Sequence, residues 1–181
     1  MPMRWTVDFF KGFIFLWILF LMYAFQNRTL TMWVYLFMHG SYGIIWVFKD
    51  FLFPDERGKV KGSLGSHLVL CIVLFGYWCI PVPLAMRYGL GNPSKLRLGS
   101  LVVMYLLGLI LMIGSDYQKF RMLKKRKGLI SSGFFKYSRN PNYLGEFLIY
   151  TSFCILSGHI LGFVIFYSLG GFLFIWNIYL K

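Results

Sequence analysis

Long apolar runs set the first limit on what this chain can fold into. A helix needs about 20 residues to cross the hydrocarbon core of a bilayer, and six stretches approach that length. The chain has 181 residues, 58% hydrophobic and 14% charged, and a soluble domain of that length could not bury so much apolar surface. The sequence therefore predicts an all-α integral membrane protein in which residues 1–181 form one domain. The predicted spans are Phe9–Phe25, Met32–Leu52, His67–Met86, Leu98–Gly114, Tyr143–Ser157 and Ile160–Leu180.

The cations fall unequally on the two sides of the predicted bundle. Of the 19 Lys and Arg, the side with fewer cations holds only Arg28, Arg87, Lys95 and Arg97. Because short loops rich in Lys and Arg stay cytosolic, the sequence predicts that both termini and the two larger loops face the cytosol. A net charge of +13 also suits nucleic acid, but here the cations lie in short loops between apolar runs. We therefore expect membrane and lipid partners and no nucleic acid.

The second predicted span carries a stripe of polar and aromatic residues. The stripe has the helical spacing 3, 4 and 3, and its members are His39, Tyr42, Trp46 and Lys49. Gly40 and Gly43 lie beside it, so another helix or a ligand can approach closely. One interpretation is an aromatic belt with a lysine reaching the interface and a histidine that only packs. The other is that Tyr42, with His39, is a catalytic proton donor in a lipid-filled cavity.

The fourth span continues without Gly or Pro until Gly128, so we expect its helix to project into the cytosol. Asp116 lies at the predicted membrane edge, with Lys119 on the same face and Arg121 on a neighbouring one. These charges can form an anchor for anionic lipids and a weak surface ion pair. Alternatively, Asp116, Lys119 and Arg121 line a cytosolic mouth that binds a polyanionic cofactor.

The segment Ser138–Glu146 places a guanidinium, an amide and a carboxylate where the fifth span begins. Ionisable residues at the edge of a membrane are costly, so Arg139 and Glu146 are candidates for a functional site. The sequence has no metal-ligand spacing and no serine or cysteine nucleophile arrangement. We therefore expect no metal at this site.

These motifs together resemble the C-terminal signature of the steroid 5α-reductase family and of DUF1295-like membrane reductases. The resemblance is specific over Ser115–Glu146. It implies a multi-spanning membrane enzyme, located in the endoplasmic reticulum of a eukaryotic cell, that receives NADPH from the cytosol. The reaction implied is hydride transfer to a polarised carbon–carbon double bond in a steroid, sterol, polyprenol or enoyl lipid.

The resemblance also implies roles for single residues. Asn142 and Glu146 would contact the nicotinamide end of NADPH, while the charged side chains upstream hold the rest of the dinucleotide. Tyr42, with His39, is the predicted donor of the proton. The predicted cofactor-binding residues in segment 115–146 are Asp116, Lys119, Arg121, Arg139, Asn142, Tyr143 and Glu146.

The sequence departs from the pattern of the steroid 5α-reductases in three places. Asn140 stands where many members have a histidine. The early-span acid that pairs with the catalytic tyrosine has no counterpart, because Asp8 lies too close to the start of the chain. Members also continue past the position of Lys181 with a cytosolic segment that closes over the cofactor, so we expect this chain to be shorter than they are.

Two other classes of protein share features with this sequence. Isoprenylcysteine and phospholipid methyltransferases have a related helical core and an Arg-His-Pro-x-Tyr-x-Gly element, and they bind S-adenosylmethionine. The spacing from Asn142 to Glu146 favours the reductases over them. A membrane protein without catalytic activity is the third alternative.

Overall fold

Helices make up 81% of the chain that the computed structural model describes, which is residues 2–54, 60–88, 93–125 and 128–171. A π-helical turn, Leu36–Gly40, joins Leu30–Tyr35 and Ser41–Leu52 into one continuous helix. A second π-helical turn, Phe166–Gly170, continues the helix Ile160–Ile165. The helices are α1 (Met3–Ala24), α2 (Leu30–Tyr35), α3 (Ser41–Leu52), α4 (Leu64–Cys79), α5 (Val82–Ala85), α6 (Lys95–Lys125), α7 (Pro141–Ser157) and α8 (Ile160–Ile165).

Four of these helical stretches are long and apolar enough to cross a membrane, which confirms an integral membrane protein of the all-α class over the described residues. They are Met3–Ala24, Leu30–Leu52, Leu64–Ala85 and Lys95–Lys125. The fifth predicted span coincides with α7, which has 17 residues. The sixth, Ile160–Leu180, lies partly outside the described residues. The count of six spans and the cytosolic location of both termini stay predictions.

The helix α6 is unbroken for 31 residues and continues past Gly114, as the lack of Gly and Pro between Gly114 and Gly128 predicted. The chain then turns back along it, because Gln118 holds the loop at two points. Its Nε2 donates to the carbonyl of Ser132 at 2.7 Å, and its Oε1 accepts from the amide of Phe134 at 3.0 Å. Pro141 then begins α7, at the position where proline suits a helix start. This hairpin brings Asn142 and Glu146 beside α6.

Two glycines allow α6 and α7 to cross in backbone contact. A Cβ atom on Gly108 would lie 2.7 Å from the carbonyl oxygen of Gly145. A Cβ on Gly145 would lie 2.6 Å from both the carbonyl oxygen of Gly108 and the amide of Met112. Small residues at such crossings let membrane helices pack by van der Waals contact. The backbones of α6 and α7 are therefore in direct contact at this crossing.

The first helix is held against α3 and α4 by equally close contacts. A Cβ on Gly43 would overlap the carbonyl oxygen of Lys11, so Gly43 brings α3 onto α1, one of the two close approaches expected at that glycine. Trp17 Nε1 donates to the carbonyl of Trp78, and Trp78 Nε1 donates to that of Phe10, both at 2.9 Å. These contacts fix the position from which the Lys11 side chain starts.

We predict that Gly108→Ala lowers the free energy of unfolding by about 1–3 kcal/mol, because the new methyl group must separate two backbones. Gly99, on the same helix, is the matched control, since a Cβ there meets nothing within 4 Å. Gly99→Ala should leave stability unchanged or raise it by up to about 1 kcal/mol. Denaturation of both variants in detergent measures the difference, and equal stabilities would contradict the crossing.

Candidate functional site

A ladder of polar and aromatic side chains runs along the inward face of the helix Leu30–Leu52. The structure places the four predicted residues on this face and adds Tyr35, one turn before His39. Tyr35, His39 and Tyr42 are fully buried, whereas Lys49 lies near the end of the helix with 6% of its surface exposed. The π turn falls at His39, and such turns are frequent at functional sites. The ladder in full is Tyr35, His39, Tyr42, Trp46 and Lys49.

Tyr42 lies in the middle of a chain of three hydrogen-bonding groups from three helices. Lys11 of α1 donates from Nζ to Tyr42 Oη at 2.8 Å, and Tyr42 Oη lies 3.0 Å from Tyr150 Oη of α7. Lys11 is 4% exposed and the two tyrosines are buried. The predicted proton donor therefore has a cationic partner on one side and a phenol on the other.

The Lys11 ammonium is buried but surrounded by groups that favour a cation. Its Nζ lies 3.0 Å from the centre of the Trp46 ring and 4.0 Å from Glu146 Oε2. The ring face and the carboxylate both attract the cation, and the phenol oxygen of Tyr42 accepts one of its hydrogens. A buried charge is tolerated only when it is paired and hydrogen-bonded, and Lys11 meets both conditions.

Glu146 belongs to a face of α7 that points at the same group. Asn142, Glu146 and Tyr150 follow one another at intervals of four residues, so they lie on one side of the helix. Asn142 is half-buried, Glu146 is 13% exposed in its side chain and Tyr150 is buried. Two of the residues that the resemblance assigned to the nicotinamide thus share a helix face with a direct partner of Tyr42.

The Lys49 end of the ladder, called its lower end below, opens into a cleft that contains two predicted cofactor residues. Lys49 Nζ donates to Asp116 Oδ2 at 2.7 Å and also lies 4.2 Å from the centre of the Trp46 ring. Asp116 therefore pairs across helices with Lys49, a partner that sequence spacing did not offer. The cleft has a volume of about 210 Å³. Its lining residues are Lys49, Phe53, Pro54, Asp116, Lys119, Phe120, Leu123 and Lys124.

The acidic residues of the described ranges all gather at this end of the bundle. Besides Asp116 and Glu146, Asp50 lies 3.9 Å from the Arg4 guanidinium. Asp8, one turn before Lys11, has a buried Oδ1 with no hydrogen-bond partner among the described residues. The carboxylates face inward between the helices, next to Arg4, Lys11 and Lys49. The site is therefore a mixed cluster of charges rather than a purely basic surface.

The opposite, upper end of the ladder is formed by Tyr35 and His39. His39 makes no hydrogen bond to Tyr42. Its Nδ1 lies 2.9 Å from Tyr35 Oη, and its ring stacks on Phe153 with centroids 4.3 Å apart. Tyr77 of α4 lies against the other side, at 4.4 Å between ring centroids. His39 Nε2 and Tyr77 Oη are both buried, and neither has a partner in the described part of the chain. Two polar atoms at this level can therefore accept or donate a further hydrogen bond.

Arg121, a predicted cofactor residue, lies apart from the ladder. Arg121 is exposed and donates to Tyr117 Oη at 3.4 Å, in a second cleft of about 400 Å³ that shares no lining residue with the first. Arg139 is exposed just before α7, and Tyr143 is half-buried in its first turn. Asp116, Lys119 and Glu146 are thus close to the ladder, whereas Arg121 is separated from it by the width of α6.

Three residues of the site were missed from the sequence, and their signals differ. Tyr35 continues the spacing of the stripe by one more turn, so the pattern alone reveals it. Tyr150 follows Glu146 by four residues, which is visible once α7 is placed. Lys11 was predicted only as a cation of the cytosolic side, because nothing local shows that α1 turns it inward.

Fold and site together define a multi-spanning membrane protein whose polar groups are buried between helices and reach its cation-rich end. The chain belongs to the family described as "Protein of unknown function (DUF1295)", whose model matches residues 49–181. That family is associated with steroid 5-alpha-reductase-like membrane proteins, which confirms the resemblance at that level. Among curated proteins and among solved structures, none matches the chain. Asn142 and Glu146 lie inside the matched residues, and Lys11 and Tyr42 lie before them.

We predict that Lys49→Met lowers the free energy of unfolding by about 2–4 kcal/mol, because it leaves the Asp116 carboxylate without its cation. Adding Asp116→Leu should recover most of that loss, since both partners are then apolar. Lys95→Met is the matched control at an exposed site, where about 0.5 kcal/mol or less is expected. A double-mutant cycle by denaturation measures the coupling, and strictly additive losses would rule out the pair.

Proposed function

We propose that this protein uses NADPH to reduce a carbon–carbon double bond in a membrane lipid. The observation that supports it most is the buried array Lys11–Tyr42–Tyr150, which holds a phenol beside a cation in the apolar interior. Adding hydride to a polarised double bond leaves negative charge on the substrate. A proton donor in a dry site is the group that such a reaction needs.

The cleft at the lower end of the ladder suits part of NADPH. Lys49, Lys119 and Lys124 surround it, and ammonium groups bind phosphate by charge-assisted hydrogen bonds. Its volume of about 210 Å³ is below the roughly 300–1,000 Å³ of complete small-molecule sites. The cleft therefore fits the phosphate-bearing portion, and Asn142 and Glu146 are the residues that would hold the nicotinamide. When bound, NADPH would supply a hydride to the substrate.

Tyr42 is the proposed donor of the matching proton. Its hydroxyl oxygen accepts from Lys11, so its own hydrogen is directed toward Tyr150 or toward a substrate that replaces this contact. The Lys11 cation stabilises the negative charge that remains on the phenol oxygen after the proton has left. Phe153 packs within 6.0 Å of the Tyr42 ring centre, so the donor stays out of contact with water.

The unpartnered polar atoms above Tyr42 favour a substrate that carries an oxygen. His39 Nε2 and Tyr77 Oη are buried, and a buried polar group without a partner costs about 1–3 kcal/mol. A carbonyl oxygen conjugated to the double bond would accept a hydrogen bond from one of them. We therefore propose an enone or enoyl lipid rather than an isolated alkene.

We predict that Tyr42→Phe lowers NADPH oxidation in vesicles of total lipid extract by about a hundredfold or more, because the proton donor is lost. NADPH should still raise the melting temperature of the variant, since binding stabilises the folded state. Tyr105→Phe is the matched control, a buried tyrosine whose hydroxyl lies 2.8 Å from Ser41 Oγ. Oxidation that persists in Tyr42→Phe would reject this donor. Stabilisation by S-adenosylmethionine and not by NADPH would reject the reductase in favour of a methyltransferase.

The proposed location of the phosphates can be tested separately. Lys119→Ala should weaken NADPH binding about tenfold, the effect of losing one charge-assisted hydrogen bond. Arg121→Ala removes a cation of the same helix from the other cleft and should weaken binding less. Titration of melting temperature with NADPH measures both dissociation constants. A larger loss in Arg121→Ala would move the phosphates to the second cleft.

A further inference from the structure

The hydrogen bond between Lys11 and Tyr42 has a defined direction. An ammonium group has three hydrogens to donate and no acceptor, so the phenol oxygen of Tyr42 must accept at 2.8 Å. When Tyr42 loses its proton to a substrate, its oxygen therefore still accepts a hydrogen bond from the Lys11 ammonium, which carries another proton. Lys11 is the nearest source from which Tyr42 can be restored.

We propose that Lys11 returns a proton to Tyr42 in each turnover, an inference that rests on the proposed reductase function. The substrate takes a hydride on one carbon and the Tyr42 proton on the other, and the double bond becomes single. The Tyr42 phenolate then takes a proton from the Lys11 ammonium, which becomes a neutral amine. A solvent proton, passed through the Glu146 carboxyl, converts the amine back to ammonium. One NADPH and one proton are consumed for each double bond.

The surroundings of Lys11 suit a group that alternates between charged and neutral. The Glu146 carboxylate at 4.0 Å and the Trp46 ring at 3.0 Å stabilise the ammonium. Burial at 4% exposure opposes the charge. The other charged groups near Lys11 are Asp8 on its own helix and, on the packed helices, Lys49 and Asp116.

The backbone gives Lys11 little freedom to leave this position. Gly43 lies directly on its carbonyl, and any side chain there would displace α1 from α3. Lys11 therefore acts through Tyr42 as a positioning and proton-carrying residue, without touching the substrate itself. That role differs from simple charge pairing in one respect, the need to release a proton.

Lys11→Met and Lys11→Arg separate these roles. Methionine removes both the cation and the hydrogen bond, whereas arginine keeps them but cannot be deprotonated in proteins. Both variants should lower kcat about a hundredfold while the KM for NADPH changes less than twofold. Restored turnover in Lys11→Arg would overturn proton transfer by Lys11, because a fixed charge would then suffice.

Chemical rescue covers the case in which arginine does not fit. Propylamine added to Lys11→Ala supplies the missing atoms and an exchangeable proton, so it should restore at least a tenth of the kcat of the wild-type chain. Propanol is the control, since it fills the same space without an amine. Equal rescue by both compounds, or by neither, would overturn the proposal.

Infrared spectroscopy gives a readout that does not depend on turnover. The difference between the wild-type chain and Tyr42→Phe isolates the carbon–oxygen stretching band of the Tyr42 phenol. Lys11→Met should shift this band and Lys11→Arg should not, and an unshifted band in Lys11→Met would overturn the contact. A wild-type chain that binds NADPH but oxidises none overturns the proposed function and this inference together. Full oxidation by Lys11→Met overturns the inference alone.

Discussion

The hydrogen bond from Lys11 to Tyr42 is the interaction on which the rest of the site depends. A lysine at this depth carries a desolvation cost of several kcal/mol, and the structure offsets it only by placing several helices around one nitrogen atom. Tyr42 and Trp46 come from the ladder helix and Glu146 from α7. Removing any of these contacts would leave the charge less compensated. The packing of α1, α3 and α7 and the chemistry of the site therefore depend on the same contacts.

Glycine makes this arrangement possible at two crossings. Gly43 brings the backbone of α3 onto α1 at Lys11, and Gly108 with Gly145 brings α7 onto α6 directly before Glu146. Lipid tails provide no hydrophobic force between helices, so such close contacts supply much of the packing energy. The glycines that stabilise the bundle thus also set the distances between its charged groups.

The sequence predicted the helices well because each apolar run signals its own helix locally. From spacing and motif it also singled out Tyr42, His39 and the charged residues of α6 and α7 as candidates for the site. It did not predict that Lys11 belongs to the buried site, because a cation in the first turns of a span ordinarily marks the cytosolic side. Only the packing of α1 on α3 turns that side chain inward. The pairing of Asp116 with Lys49 was not predicted for the same reason, since these residues are 67 positions apart and meet only through helix packing. The π turn at His39 leaves no signal in hydropathy at all.

A function follows from this geometry only if the buried phenol and the cation-rich cleft serve one reaction. The most direct measurement uses NADPH with deuterium at its transferable position, added to the protein in vesicles of total lipid extract. Lipid mass spectrometry then searches for any species that has gained one deuterium. The account predicts such a species with the wild-type chain and its loss with Tyr42→Phe. NADPH binding without label in any lipid, or transfer undiminished in the variant, would contradict it.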